Sequence, residues 1–405
     1  MCALSLDRTI GESEPDQPFG AGPDWRLTIP EQRRRRLRLW LWSVAATTFA
    51  VLVVGGITRL TLSGLSIVTW DPIMGVLPPL TEGQWERSFE AYRQFPEYQS
   101  WRSGMSLAEY KAIFFWEYLH RLLARAVGMV FLIPFLVFWV RGYFNRPLLH
   151  RAWVLFALGA MQGVMGWLMV ASGLVDRPSV SHYRLAAHLG LAFLIFGWSV
   201  WLARDLATRA GRPRLVEGER RLMLRGLGIV GVLLAAQIIW GAFVAGLKAG
   251  KYYPTFPLMG GRLIPVDLLW LDSALANFVG NPIAVQWVHR VLGTVLALAV
   301  FALGALVWRR VQDATSRRYN LSLTGLIGAQ YLLGILTLLF LVPISLGVIH
   351  QGMAMVLFGV WLSWLHHVAQ GGERIGAGEE AFGAVRAPES YRVEAEQTAT
   401  TVAGV

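Results

Sequence analysis

Eight apolar stretches, approximately residues 39–57, 115–140, 152–172, 185–203, 226–247, 284–308, 321–342 and 345–367, are each long enough to cross about 30 Å of hydrocarbon as a helix. A chain built this way must satisfy its backbone inside each segment, so it folds as membrane-spanning helices. The remaining composition agrees. Only 16% of the 405 residues are charged and 55% are hydrophobic, whereas a soluble domain carries about 25% charged residues. A water-soluble enzyme with one buried core is excluded. Pro343 supplies the break between the nearly continuous seventh and eighth spans.

Arginines set the expected orientation. The net charge is +11, but it comes from 34 arginines against three lysines (Lys111, Lys248 and Lys251), and most arginines flank apolar runs. That distribution fits topology, not nucleic-acid binding. Arg33, Arg34, Arg35, Arg36 and Arg38 precede span one. Arg141, Arg146 and Arg151 follow span two. Arg204 through Arg225 follow span four, and Arg309, Arg310, Arg317 and Arg318 follow span six. All four clusters fall on one side, expected to be the cytoplasm, which puts both termini there and the long loops 58–114 and 248–283 outside. The first 30 residues show no apolar signal-peptide core and no Arg/Ser-rich, acid-poor transit pattern, so a bacterial inner membrane is expected. Cys2 is the only cysteine, which excludes an intramolecular disulfide and a cysteine metal cluster.

The second half repeats the first. The segment EYLHRLLARAVGMVFLIP of span two matches QWVHRVLGTVLALAVFAL of span six. AHLGLAFLIFGWSVWL of span four matches IHQGMAMVLFGVWLSWL of span eight. Four spans separate the matching segments, so both halves cross in the same sense, and a pseudo-twofold axis is expected along the membrane normal. The expected fold is an all-α membrane protein whose eight transmembrane helices form two pseudo-twofold-related four-helix bundles. The expected divisions are a basic segment 1–36, an amino-terminal bundle 37–204, a linker 205–225, a carboxy-terminal bundle 226–368 and a disordered tail 369–405. Small residues such as Gly159 and Gly163 suit close helix packing, within a bundle or between subunits of a homo-oligomer.

The repeat carries chemistry. His120, His188, His289 and His350 recur at matched positions near the outward ends of their spans, two in each half. Ionisable groups at that depth are costly and usually functional. Two imidazoles facing each other in a four-helix bundle suit axial ligation of a haem iron, so two pairs imply two haem sites. The halves differ at one place. Glu117 lies one turn before His120 on the same face, where Gln286 precedes His289. A carboxylate can move a proton or stabilise positive charge developing on a substrate, and an amide cannot. The reactive site is therefore expected in the amino-terminal bundle, with a structural or electron-transfer haem in the other. The bland reading is that Glu117 merely pairs with Arg121. His150 (in a cytoplasmic link), His182 (in a short outer loop), His366 and His367 (ending span eight) read as structural or solvated. Arg59 and Arg184 could pair with haem propionates. The first outer loop, with Pro72, Pro78, Pro79 and Pro96 and with Trp70, Trp85, Phe89, Tyr92, Phe95 and Tyr98, reads equally as a cap over a haem edge or as an interfacial anchor.

These residues resemble a known family. WEYLHR at 116–121, SGLSIVTWDPIMGVLPPL at 63–80, SHYRLAAHLGLA at 181–192, VHRVLG at 288–293 and HQGMA at 350–354 look like haem A synthase, over about residues 37–368. The cysteine-free first loop resembles the branch found in mitochondria and alphaproteobacteria. Other bacterial members carry a cysteine pair in an outer loop, so a thiol-dependent step does not transfer here. The resemblance implies oxidation of the C8 methyl group of haem O to a formyl group, through two hydroxylations and loss of water from the geminal diol. It also implies haem B as cofactor. Carried over by residue, His120 and His188 bracket the substrate haem, His289 and His350 ligate haem B, and Glu117 is the acidic catalytic residue. A haem O synthase, a farnesyltransferase, is implied as the partner that supplies substrate. An electron donor is required, and no residue specifies which. The alternative from the histidines alone is a non-catalytic di-haem b-type electron carrier, which leaves Glu117 against Gln286 without purpose. A transporter or assembly factor would not need the paired histidines.

Overall fold

The computed structural model describes residues 25–373, apart from 27, 69–73, 174–179 and 208–213. Within them, eight helices are long and apolar enough to cross a membrane: α1 (Glu31–Leu60), α3 (Leu107–Val140), α4 (Arg146–Gly173), α5 (His182–Asp205), α6 (Glu217–Gly246), α8 (Pro282–Arg310), α9 (Ala314–Leu339) and α10 (Ile344–Ala369). Two shorter helices, α2 (Glu82–Arg93) and α7 (Ala274–Gly280), lie in the two long loops. The only strand pairing among the described residues is a two-residue parallel contact of Arg214–Leu215 with Gly372–Glu373.

The spanning helices are longer than the apolar runs because polar residues start and stop them. Ser106 and Glu109 form a reciprocal capping box at the start of α3, which carries the helix eight residues beyond the apolar run that begins at 115. Asn281 caps α8 ahead of Pro282, and the Asp313 carboxylate accepts from the Ser316 amide at 2.6 Å to open α9. Leu341 and Val342 take left-handed backbone after α9, and Pro343 then starts α10. Arg33 to Arg38 ride on the first turns of α1, and α6 begins at Glu217, well before the apolar run at 226. His150, read as part of a link, sits on α4, because the Asn145 side chain accepts from the Leu148 amide and starts that helix early. His182, read as loop, opens α5, with Nε2 2.9 Å from the Val279 carbonyl oxygen. The tail from 374 onward lies outside the described residues.

Helix neighbours sort into two sets. Helix α1 packs on α3 and α5, and α4 packs on α3 and α5. Helix α6 packs on α8 and α10, and α9 packs on α8 and α10. The sets meet through α5 on α6 and through α10 on α1 and α5. Apolar cores fill the arginine-rich end of each set. One joins Leu37, Trp40, Phe135, Leu148 and Leu202, and the other joins Met223, Leu227, Val300, Leu303 and Trp364. Leu52, Phe193 and Met355 pack between the sets. Large apolar side chains such as Ile133, Val232, Leu298 and Leu321 point outward, as a lipid-facing surface requires. Gly159 and Gly163 meet no neighbour within 4 Å, so this chain does not use them for its own helix packing.

A buried ion cluster closes the arginine-rich end. Asp205, fully buried at the end of α5, receives Arg26 at 3.2 Å, Arg151 of α4 at 3.0 Å and His366 of α10 at 3.0 Å. One carboxylate thus ties the amino-terminal segment to both helix sets. His366 and His367 are structural, the latter 3.0 Å from Asp313. Removing one member of a buried ion cluster costs about 3–5 kcal/mol because the others keep their buried charge. Asp205→Asn should lower detergent-solubilised stability by about that amount, read as a lower unfolding midpoint. An unchanged midpoint would mean that water already solvates the cluster.

Candidate haem-binding site

The end of each helix set away from the arginines carries the polar side chains. Helix α3 presents Glu117, His120 and Arg121 at one-turn spacing, and α8 presents Gln286, His289 and Arg290 in the same register. His188 lies on α5 and His350 on α10. His120 and His188 belong to the first helix set, and His289 and His350 to the second. Nδ1 of each of the four imidazoles is buried without a hydrogen-bond partner. Four buried imidazoles at matched places in the two helix sets, none of them ion-paired to a carboxylate among the described residues, suit ligands of a bound group. Two imidazoles per site would be a sparse donor set for a bare ion, and no group of three or more metal-ligating side chains occurs among the described residues. They fit a haem, whose macrocycle supplies four nitrogens and leaves two axial positions.

Glu117 is almost fully buried, yet its carboxylate is well supplied with donors. Arg121 donates to Oε1 at 2.7 Å, and the Ser66 hydroxyl and the Ile67 amide both donate to Oε2 at 2.8 Å. Arg121 also donates to the Ile67 carbonyl at 2.7 Å. The first loop therefore clamps the carboxylate from one side and its own helix holds it from the other. Ser66 is held in turn, because the Tyr110 hydroxyl donates to its carbonyl at 3.2 Å. The pairing of Glu117 with Arg121 is real, and it is one bond of three. In the other half Gln286 donates to the Tyr253 carbonyl at 3.2 Å, and Arg290 donates to the same oxygen at 2.6 Å and to the Thr255 carbonyl at 2.7 Å. Both halves thus strap a long loop to the histidine helix through an arginine. Only the first keeps a carboxyl group there.

The arginines read as propionate partners are engaged with backbone. Arg59 donates to the carbonyls of Ala245 and Gly246 at 2.9 Å each, tying the end of α1 to the end of α6, and keeps a buried Nε without a partner. Arg184 donates to the Leu168 carbonyl at 2.9 Å, bridging α5 to α4. The first loop is more protein-packed than an interfacial anchor would be. Phe89 and Tyr92 of α2 are buried against Tyr110, Ile113 and Phe114 of α3. Trp70 and Pro72 lie outside the described residues.

A model of the family described as cytochrome oxidase assembly protein matches residues 38–362. Heme A synthase of Rhodospirillum centenum is 46% identical over 347 residues, covering 85% of this chain and 91% of that protein. Heme A synthase of Nitrosospira multiformis is 44% identical over 350 residues, covering 84% and 97%. Heme A synthase of Chelativorans sp. is 47% identical over 330 residues, covering 81% and 90%. The chain belongs to the haem A synthase family. The family match begins inside α1 and ends inside α10, so it takes in all eight spanning helices of this haem A synthase family member.

One buried acid escaped the reading of the sequence. Glu97, between α2 and α3, is only 4% exposed, with Oε1 3.9 Å from Arg102 and Oε2 without a partner. Arg102 in turn donates to the Thr61 and Leu62 carbonyls at the end of α1. Burial pushes the Glu97 carboxyl up from 4.5 to about 7, with Arg102 opposing the shift and Glu117 adding to it. A raised folded-state pKa favours the protonated form on folding. This contribution is complete below the unfolded value of 4.5 and is lost as pH rises through about 7. Glu97→Gln should therefore gain stability relative to the parent on going from about pH 5 to about pH 8, read as the difference between their thermal midpoints. A difference that stays constant across that range would rule out Glu97 as the titrating group.

Proposed function

We propose that this chain oxidises the C8 methyl group of haem O to a formyl group, with His120 and His188 bracketing the substrate haem and His289 and His350 ligating a haem B. The observation that carries the division of labour is the asymmetry at one matched position. Glu117 places a carboxyl group inside a three-donor cradle, and Gln286 offers a neutral amide. The bound haems supply the redox chemistry.

The residues of this chain supply the setting. His120 and His188 fix the substrate macrocycle, and with it the methyl group, relative to Glu117 one turn away. Glu117 accepts or returns a proton at Oε1 or Oε2, or holds its negative charge against positive charge developing at the oxidised carbon. Ser66, Ile67 and Arg121 keep the carboxylate from swinging away and lower the cost of its charge. The first loop, packed on α3 through Phe89 and Tyr92, limits access of bulk water to that carboxylate. Arg59 and Arg184 stand at the same end of the molecule as donors for propionates. A haem O synthase provides the substrate, and the arginine distribution supports an orientation with both termini on the cytoplasmic side.

No observation favours the di-haem electron carrier, which leaves the difference between Glu117 and Gln286 without purpose. Positioned acid–base groups contribute about 10²–10⁴-fold to rate. Glu117→Gln, expressed with a haem O supply, should reduce haem A by a factor in that range while haem B stays bound, read by extracting and chromatographing the pigments. Normal haem A in the variant would remove Glu117 from the mechanism.

A further inference from the structure

Each histidine ring abuts a glycine of the spanning helix that precedes its own, and the residue four before that glycine completes a sequence pair. On α4, α6 and α9 the pair reads Gln-x-x-x-Gly: Gln162 with Gly166, Gln237 with Gly241, and Gln330 with Gly334. On α1 it reads Val51 with Gly55. A methyl group added to Gly55 would stand 2.9 Å from His120 Cε1. The corresponding distances are 3.4 Å from Gly166 to His188 Cε1, 3.1 Å from Gly241 to His289 Cε1 and 3.0 Å from Gly334 to His350 Cε1. All four contacts are made to the same ring atom, the carbon between the two nitrogens. Other tight glycines differ: Gly226 meets Leu303 and Gly231 meets Trp361, as ordinary packing does.

The glutamines repeat as well. Gln162 Nε2 lies 3.4 Å from His188 Nε2, and Gln237 Nε2 lies 3.3 Å from His289 Nε2. Gln330 donates instead to the main-chain carbonyl of His350 at 3.0 Å. In all three the amide oxygen is buried without a partner.

Rotation of an imidazole about its bond to a metal is soft, and the groups around the ring decide its plane and basicity. We propose that the Gln-x-x-x-Gly pairs are positioning elements that set the plane and depth of the axial imidazoles. The glycine lets the ring edge reach the helix backbone, and the glutamine offers its amide alongside the ring or its main chain. In the substrate half the first pair has Val51 in place of glutamine, so His120, the ligand nearest Glu117, is the one imidazole without that amide. The inference rests on the reading of the four histidines as iron ligands.

The test uses the full-length protein purified with its haems, read by the low-spin ferric electron paramagnetic resonance signal and the midpoint potential of each haem. Gly241→Ala and Gly334→Ala should shift the signal and potential of the haem in the carboxy-terminal half, or roughly halve total haem, and leave the other haem unchanged. Gly228→Ala on α6 and Gly325→Ala on α9 add a methyl group that meets nothing within 4 Å, so they should match the parent. Alanine favours a helix over glycine, so lost haem cannot come from a weakened helix. Gln237→Leu should move the same midpoint potential with haem retained. Parent-like spectra and potentials in Gly241→Ala and Gly334→Ala, or equal changes in the two control variants, would overturn the inference. A parent protein without a bis-imidazole low-spin signal would overturn the histidine reading itself, and the inference with it.

Discussion

Burying ionisable side chains between membrane helices is the constraint around which this molecule is arranged. An acidic side chain at the centre of a spanning helix costs about 2.5–3.5 kcal/mol on insertion scales. Hydrogen bonds to a charged group return about 1.5–3 kcal/mol each. Glu117 collects three such bonds, from Arg121, Ser66 and Ile67, which satisfy both of its oxygens at depth. The four imidazoles receive no comparable compensation at Nδ1. On the proposed reading, a haem between each pair would offset that cost and couple its binding to the stability of the loop-side ends of the helices.

That coupling explains how the fold divides its length. The apolar cores, with Trp40 and Phe135 in one set and Leu227 and Trp364 in the other, lie at the arginine-rich ends and hold the helices together without help from a ligand. Asp205 locks the same end through Arg26, Arg151 and His366. The opposite ends are then free to carry histidines, strapped loops and close glycine contacts. The halves share this plan and differ in what sits one turn before the first histidine. An acid in one and an amide in the other is a small change in volume that leaves a titratable group in only one of the two matched places.

Much of this was legible in the sequence, for physical reasons. Span number and the Pro343 break follow from hydropathy and backbone chemistry, and the four histidines and the Glu117–Gln286 difference follow from the internal repeat. Helix ends were less legible, since capping by Ser106, Asn145 and Asp313 carries helices into polar sequence that hydropathy assigns to loops. Contacts between distant segments were not legible. Nothing in the string places Ser66 on Glu117, or buries Glu97 beside Arg102 at the end of α1, because both depend on how the first loop returns over α3. The aromatic residues of the loop looked interfacial, but Phe89 and Tyr92 fill a protein core instead, an outcome set by tertiary packing that residue type does not encode. The Gln-x-x-x-Gly spacing was visible in the letters at 162, 237 and 330, and it acquires meaning only when the glycines are seen against the imidazoles.

The central claim is that two imidazole pairs each grip a porphyrin, and a density map of the protein purified with its native pigments tests it most directly. The account predicts planar macrocycle density between His120 and His188 and between His289 and His350, with the rim of the first within reach of Glu117. Histidine side chains turned away from each other, or macrocycle density outside the two helix sets, would contradict it.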